Sequence, residues 1–222
     1  MPVAIVTGAS RGLGRALATG LVDTGWVVVV DGRSLAADPP PGVVAVPGDL
    51  AEPEHRAALI AAAEWHGGVD LLVNNAGILG PSPQPPLAEY PLDMLLDVFE
   101  INVFAPLALT QLALPSLRLR GGAVVNVSSD AAVEAYAGWG VYGGAKASVE
   151  QISRVLAEEE PEVRVWCVDP GDLRTRMHQE AFPGEDISDR PLPETAVPPF
   201  LRLLADRPSS GRIKLSDLGV PA

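Results

Sequence analysis

"VAIVTGASRGLG" occupies Val3 to Gly14, and it changes character halfway along. Val3–Val6 are apolar without alternation, the pattern of a strand covered on both faces. Glycines follow at 8, 12 and 14; then Leu13, Leu17 and Leu21 recur at four-residue spacing, and Gly25 supplies a helix stop. A helix that opens just after a strand's carboxyl end points free N–H groups at that end, which suits a phosphate. Gly8 permits the tight turn, Gly12 lets backbone approach a pyrophosphate, and Gly14 allows close packing of helix on strand. The spacing is G-x-x-x-G-x-G, not the commoner G-x-G-x-x-G.

The alternation of strand and helix continues outward from this unit. Candidate strands are Val3–Thr7, Trp26–Val30, Val43–Val46, Leu71–Asn74, Val124–Val127, Val163–Val168 and Ile213–Leu215. Pro53 suits a helix start, and longer helices fill Leu92–Leu119 and Val141–Glu160. Pro106 and Pro115 predict a kink or break inside the first of these. The βαβαβ order predicts an α/β fold: a single-domain, Rossmann-like, doubly wound parallel sheet with helices on both faces, spanning 1–222. Proline-rich loops fall at Asp38–Gly42, Gly80–Pro86 and Phe182–Pro199. The polar stretch after the sixth strand, 176–194, lies where such folds bind ligands, and a substrate-covering loop is expected there.

A formal net charge of −12 argues against nucleic acid, which needs a basic face. No apolar run approaches the roughly 20 residues that span a bilayer, and no cleavable leader precedes Val3, so no membrane and a cytoplasmic location are expected. Cys167 is the sole cysteine, which rules out an intrachain disulfide and suits a buried thiol. No metal site is expected.

The chemistry concentrates in "NVSSDAAVEAYAGWGVYGGAKAS", Asn126 to Ser148. Tyr142 and Lys146 are four apart and share one helix face. A free phenol has a pKa of about 10. A neighbouring ammonium favours the phenolate and makes the group a usable general acid or base near neutrality. Ser128 and Ser129 both stand at the end of a strand, where a hydroxyl can hydrogen-bond a reacting oxygen.

Together these stretches resemble the short-chain dehydrogenase/reductase family over nearly the whole chain. Thr7-Gly8-x-x-x-Gly12-x-Gly14 matches its cofactor loop, and "NNAG" at Asn74–Gly77 matches the motif after its fourth strand. Asn102 in "EINV" matches its helix asparagine, and Tyr142-x-x-x-Lys146 its signature. Ser129 precedes Tyr142 by the family's usual 13 positions, which selects it over Ser128. "DPGDLRT" puts Pro170, Gly171 and Thr175 where the family holds the nicotinamide and phosphates.

The resemblance implies hydride transfer between a nicotinamide cofactor and an alcohol–carbonyl pair, with Asn102, Ser129, Tyr142 and Lys146 catalytic. Tyr142 would protonate the carbonyl oxygen in reduction, Ser129 would polarise it, and Asn102 would hold a proton-relay water. Lys146 would lower the tyrosine pKa and hold the nicotinamide ribose. Cofactor contacts would come from Gly8, Ser10, Arg11, Gly12, Leu13, Gly14, Arg33, Asp49, Leu50, Asn75 and Gly77, joined by Tyr142, Lys146, Pro170, Gly171 and Thr175. Asp49, with Leu50 beside it, would meet the adenine amino group. The chain departs from the family at "SSGRIKLSDLGVPA", which lacks the usual glycine pair; this implies a pocket more open on that side.

"VVVVDGRS", Val27–Ser34, decides the choice of dinucleotide. Counted without gaps from Thr7, the aspartate of NAD-preferring members corresponds to Gly32, and an arginine of many NADP-preferring members to Arg33. With Arg11 as a second guanidinium, a 2′-phosphate can be gripped by charge-assisted bonds. NADP(H) is therefore the preferred reading. NAD(H) is the alternative, through a one-residue shift that would put Asp31 on the ribose 2′-hydroxyl. The substrate class is a small carbonyl or alcohol, uncharged or weakly polar, and the family implies a homodimer or homotetramer. A dinucleotide-binding regulator without turnover is the competing function, disfavoured by the intact Ser129–Tyr142–Lys146 set.

Overall fold

A computed structural model describes residues 1–33, 35 and 39–219. Asp38, at the head of the first proline-rich loop, lies outside the described residues, as do Ser34 and 220–222. Seven strands form one sheet: β1 Val3–Val6, β2 Val27–Asp31, β3 Val44–Val46, β4 Leu71–Asn74, β5 Ala123–Val127, β6 Arg164–Asp169 and β7 Gly211–Lys214. Their order is β3-β2-β1-β4-β5-β6-β7 and every pairing is parallel. Between them run α1 Gly12–Asp23, α2 Pro53–Trp65, α3 Leu92–Phe99, α4 Ala105–Arg120, α5 Gly140–Glu159, α6 Arg176–Ala181 and α7 Val197–Asp206.

The continuous apolar strands are explained by two cores, one on each face of the sheet. Ala4, Val6, Val28, Val30, Trp166 and Val168 point to one, where Leu17 and Leu21 of α1 and Phe200 and Leu203 of α7 cover them. Val3, Ile5, Val29, Leu72, Val124 and Val165 point to the other, under Leu59 and Ala63 of α2 and Leu109, Ala113 and Leu117 of α4. Side chains alternate between faces with period two, so burying both faces requires every position to be apolar. The strand order reverses between β1 and β4, and a crevice opens there at the carboxyl ends of the strands.

The expected long helix over Leu92–Leu119 divides into α3 and α4 just ahead of Pro106, as a proline there predicts, whereas Pro115 leaves the second part unbroken. A π-helical segment, Glu100–Phe104, separates them and contains Asn102; Pro106, in the first turn of α4, has no N–H to offer the Asn102 carbonyl four residues back. Pro115 lies inside α4 without ending it. The stretch 176–194 is not all loop: α6 forms there, capped by Thr175, whose side chain accepts from the His178 amide at 3.1 Å.

Candidate active site

One cleft of about 1250 Å³ runs along the carboxyl ends of the strands. It gathers Gly8, Ser10, Arg11, Leu13 and Gly14 from the first turn, Arg33 from the end of β2, and Asp49 and Leu50 after β3. Asn75 and Gly77 enter after β4, Ser129 after β5, Tyr142 and Lys146 from α5, and Pro170, Gly171 and Thr175 after β6. Gly12 and Asn102 stand behind this surface. Gly12 approaches Thr175, whose Cγ2 would lie 3.5 Å from an added Cβ.

The glycine turn is a cradle that side chains would fill. Gly8 has φ +67°, and a Cβ there would lie 2.8 Å from the Ala76 Cα. A Cβ at Gly14 would overlap the Asn75 side-chain amide and lie 2.6 Å from the Gly8 carbonyl oxygen. That amide earns its place by donating to the Thr7 carbonyl at 2.8 Å, tying the β4 loop to the turn. Gly14→Val is expected to cost about 1–3 kcal/mol of stability through this overlap. A urea midpoint unchanged from the parent would contradict it. The N-cap of α1, Arg11, makes no side-chain capping bond, so the first turn of that helix is not capped by its own side chain. Uncapped amides, glycines without Cβ atoms and two exposed arginines fit a dinucleotide phosphate.

Asp31 lines the same cleft, with its carboxylate engaged by protein. Its carboxylate accepts from the Gly8 amide at 2.5 Å and faces His55 Nε2 at 3.3 Å, with the residue only 2% exposed. Through the Gly8 amide it buttresses the phosphate turn. Arg11 and Arg33, by contrast, are exposed at the cleft. Asp49 accepts from the Ala51 amide at 3.0 Å, and the Arg56 guanidinium pins the Leu50 carbonyl at 2.6 Å.

The strand ends distribute the two serines differently. Ser128 is buried and donates to Glu150 Oε1 at 2.5 Å. Ser129 lines the cleft, donates to Asp130 Oδ1 at 2.9 Å and accepts from the Ala131 amide at 3.2 Å. Tyr142 and Lys146 do share a face, with the ammonium 5.6 Å from the ring centroid and donating to the Val127 carbonyl at 2.8 Å. Asn102, on the π segment, is held through its side chain. Its side chain is fully engaged by protein: Nδ2 donates to the carbonyls of Ile78 (2.9 Å) and Val98 (2.8 Å), and Oδ1 accepts from the Ile78 amide at 3.3 Å. The side chain thus braces the "NNAG" loop.

Electrostatics reverse the simple expectation for the Tyr142–Lys146 pair. Burial pushes the phenol well above its ordinary range, and the carboxylates Asp130 and Asp169 add to this. The same burial pushes the Lys146 ammonium down to about 8. Desolvation disfavours both charged forms more than the nearby ammonium favours phenolate. The phenol therefore holds its proton at neutral pH, the form that can donate one.

Several wall residues were not singled out by spacing. Trp139 stacks edge-on to Tyr142 at 5.8 Å and meets Phe182 at 5.7 Å, while Phe182 meets His178 at 4.9 Å. Leu79, Ala131, Met177 and Ala181 complete an apolar wall around the phenol. Ala131 and Trp139 fall in Asp130–Trp139, and Met177, His178, Ala181 and Phe182 in the loop after the sixth strand, stretches whose place in the chain suits a pocket wall; Leu79 lies in neither. Among the described residues no group of three metal-ligand side chains occurs, and no helix is long and apolar enough to cross a membrane.

Known proteins resemble this chain over most of its length. The short chain dehydrogenase family model matches residues 2–186. An uncharacterized oxidoreductase of Saccharomyces cerevisiae is 34% identical over 184 residues, covering 79% of this chain and 72% of that protein. Serine 3-dehydrogenase of Rhizobium radiobacter is 35% identical over 183 residues, 78% of this chain and 72% of its own. A short chain dehydrogenase of Shigella flexneri, solved in complex with NADP, superimposes with a TM-score of 0.86 at 30% identity, covering 97% of each chain. With the family model matched over residues 2–186 and relatives above 30% identity over most of both chains, the protein belongs to the short-chain dehydrogenase/reductase family and is an oxidoreductase of CH–OH/C=O groups that uses a nicotinamide dinucleotide.

Proposed function

We propose that the protein is an NADP(H)-dependent oxidoreductase of small, uncharged carbonyl or alcohol substrates, with Tyr142 as general acid/base. The observation that carries the cofactor preference is the placement of charge at the end of β2. Asp31 spends its carboxylate on the Gly8 amide and His55, whereas Arg33 and Arg11 stand exposed at the cleft. An acid on the ribose would repel a 2′-phosphate, and two guanidiniums attract one. The NADP carried by the Shigella flexneri relative agrees with this reading.

When bound, the nicotinamide cofactor supplies or takes the hydride. The chain's own residues do the rest. The amides at the start of α1, with Arg11 and Arg33, hold the phosphates, while Asp49 and Leu50 flank the adenine. Lys146 holds the nicotinamide ribose, and Pro170, Gly171 and Thr175 seat the ring and its phosphates. Ser129 releases Asp130 to donate its hydroxyl to the substrate oxygen, and Tyr142 gives that oxygen its proton. A phenol that keeps its proton at neutral pH suits the reductive direction. The wall of Trp139, Phe182, Met177 and Leu79 fits an apolar or aromatic substrate body, and 176–194 covers it.

Assembly into a homodimer or homotetramer would use α4 and α5, where Leu112, Leu119 and Val155 are exposed apolar side chains.

Fluorescence titration with NADPH and NADH at matched salt tests the cofactor reading. NADPH binds more tightly, and Arg33→Ala weakens it about 10–100-fold, the worth of a hydrogen bond to a charged group, with NADH unchanged. Equal or tighter NADH binding in the parent overturns the preference. Cofactor binding with no turnover across a broad panel of ketones and aldehydes favours a regulator instead.

A further inference from the structure

Three segments bring groups into the site: the end of β5 with Ser129, helix α5 with Tyr142 and Lys146, and the turn after β6 with Pro170 and Gly171. One side chain from β7 contacts the first two and reaches the third through Asp169, the last residue of β6. The Arg212 guanidinium, 19% exposed, pairs through Nη1 with Glu150 Oε1 on α5. Through Nη2 it donates to Asp169 Oδ2 at 2.7 Å, and both nitrogens reach the Ser129 carbonyl, at 3.5 and 3.4 Å. Each carboxylate passes the hold onward. Glu150, one helical turn beyond Lys146, accepts from the Ser128 hydroxyl at 2.5 Å. Asp169 Oδ1 accepts from the Gly171 amide at 3.0 Å.

The Glu150 side chain is 2% exposed and that of Asp169 7%. Two such buried carboxylates are tolerable only beside a charge that can hydrogen-bond both. A guanidinium can do so because its donors form a rigid planar fork, which an ammonium lacks. Arg212 also lies beyond the residues 2–186 matched by the family model.

We propose that Arg212 is a positioning residue for the oxidoreductase reaction: it fixes Ser129, the Tyr142–Lys146 helix and the Gly171 turn relative to one another and cancels carboxylate charge behind the phenol. The proposal rests on the reading that Tyr142 transfers the proton. The charged and titratable groups around it are Glu150 and Arg154 on α5, Asp169 and Cys167 on β6, Asp130 after β5, and the Tyr142–Lys146 pair. Asp169 already raises the phenol, so removing Arg212 leaves that carboxylate uncancelled and raises it further.

The test compares the full chain with Arg212→Met and Arg212→Lys. Probes are NADPH with 4-nitrobenzaldehyde, and NADP with 4-nitrobenzyl alcohol for the pH profile of oxidation. Arg212→Met is expected to lower kcat about 10–100-fold, the cost of small misplacements, while KM and NADPH affinity stay within about threefold. Its alkaline limb moves up by about half a pH unit or more. In the cofactor-free protein the Gly171 amide exchanges about tenfold faster. Arg212→Lys keeps the charge and the limb but loses the fork, so kcat falls and Gly171 exchange quickens.

Parent-like kcat and parent-like Gly171 exchange in the folded variants overturn the proposal. So does a kcat loss matched by the unfolded fraction, with limb and exchange unmoved. If Arg212→Met does not fold, Arg212→Lys decides by kcat and exchange. If the parent turns over neither probe, the reading of Tyr142 is what fails for these probes, and Gly171 exchange still decides whether Arg212 holds the turn.

Discussion

Tyr142→Phe is expected to lower kcat for carbonyl reduction by about 10²–10⁴-fold, the span that positioned proton transfer contributes. The substitution removes one oxygen and leaves the ring. The edge contact with Trp139 at 5.8 Å and the packing against Leu79 and Ala131 survive. Cofactor affinity should therefore stay within about twofold, because the glycine cradle and the arginines do not touch the phenol oxygen. The direction of catalysis adds a pH signature. Burial keeps the phenol protonated through neutrality, so reduction is flat around pH 7, whereas oxidation needs the phenolate and rises with pH. Steady-state kinetics in both directions check this. A Phe variant retaining more than a tenth of parental kcat would remove Tyr142 from the proton transfer.

Lys146→Met is expected to make the protein more stable while impairing it. Burial lowers the folded-state ammonium to about 8 from an ordinary value near 10.5. Below pH 8 both folded and unfolded chains carry the charge, and the folded state bears its full desolvation cost. Between pH 8 and 10.5 the unfolded chain binds a proton that the folded one has released, so parental stability rises with pH across that window. From pH 8 to pH 10 the rise attributable to this amine is about 2–3 kcal/mol. The Met variant lacks it, and near pH 7 the same variant escapes the cost, offset by the lost bond to the Val127 carbonyl. Urea unfolding of both proteins at pH 7.5 and pH 10 gives the difference, which isolates Lys146 from every other titrating group. Parallel pH dependences in parent and variant would show that the ammonium is not desolvated. The loss of kcat in the same variant would mark the cost as functional, a charge kept buried because the ribose and phenol need it.

Much of this was legible beforehand because it depends on neighbours in the chain. All seven strands stand within two residues of their expected bounds, since each is a short apolar run closed by a turn. Helix α5 begins one residue early and ends one early, and it carries Tyr142 and Lys146 on one face as i, i+4 geometry requires. The glycine turn, the serine interval and the "DPGDLRT" segment all arrived in one cleft. Of the two prolines expected to break the long helix, Pro106 follows directly on the π segment around Asn102 and Pro115 is absorbed inside α4, a difference that packing and not proline position decides.

The sequence by itself determined the sheet, its doubly wound order and the residues that meet at its carboxyl edge, because apolar periodicity and turn chemistry are local. Only the tertiary structure decided where three charges go. Asp31 faces the Gly8 amide, although its position in "VVVVDGRS" would also suit a ribose. The Tyr142–Lys146 pair is governed by burial, to which Trp139, Met177 and Ala181 contribute by packing against the Tyr142 cluster. Arg212 binds Glu150 and Asp169 from 62 and 43 residues away. A carboxylate or ammonium takes its state from the dielectric and the partners around it, and those are assembled only when distant strands come together.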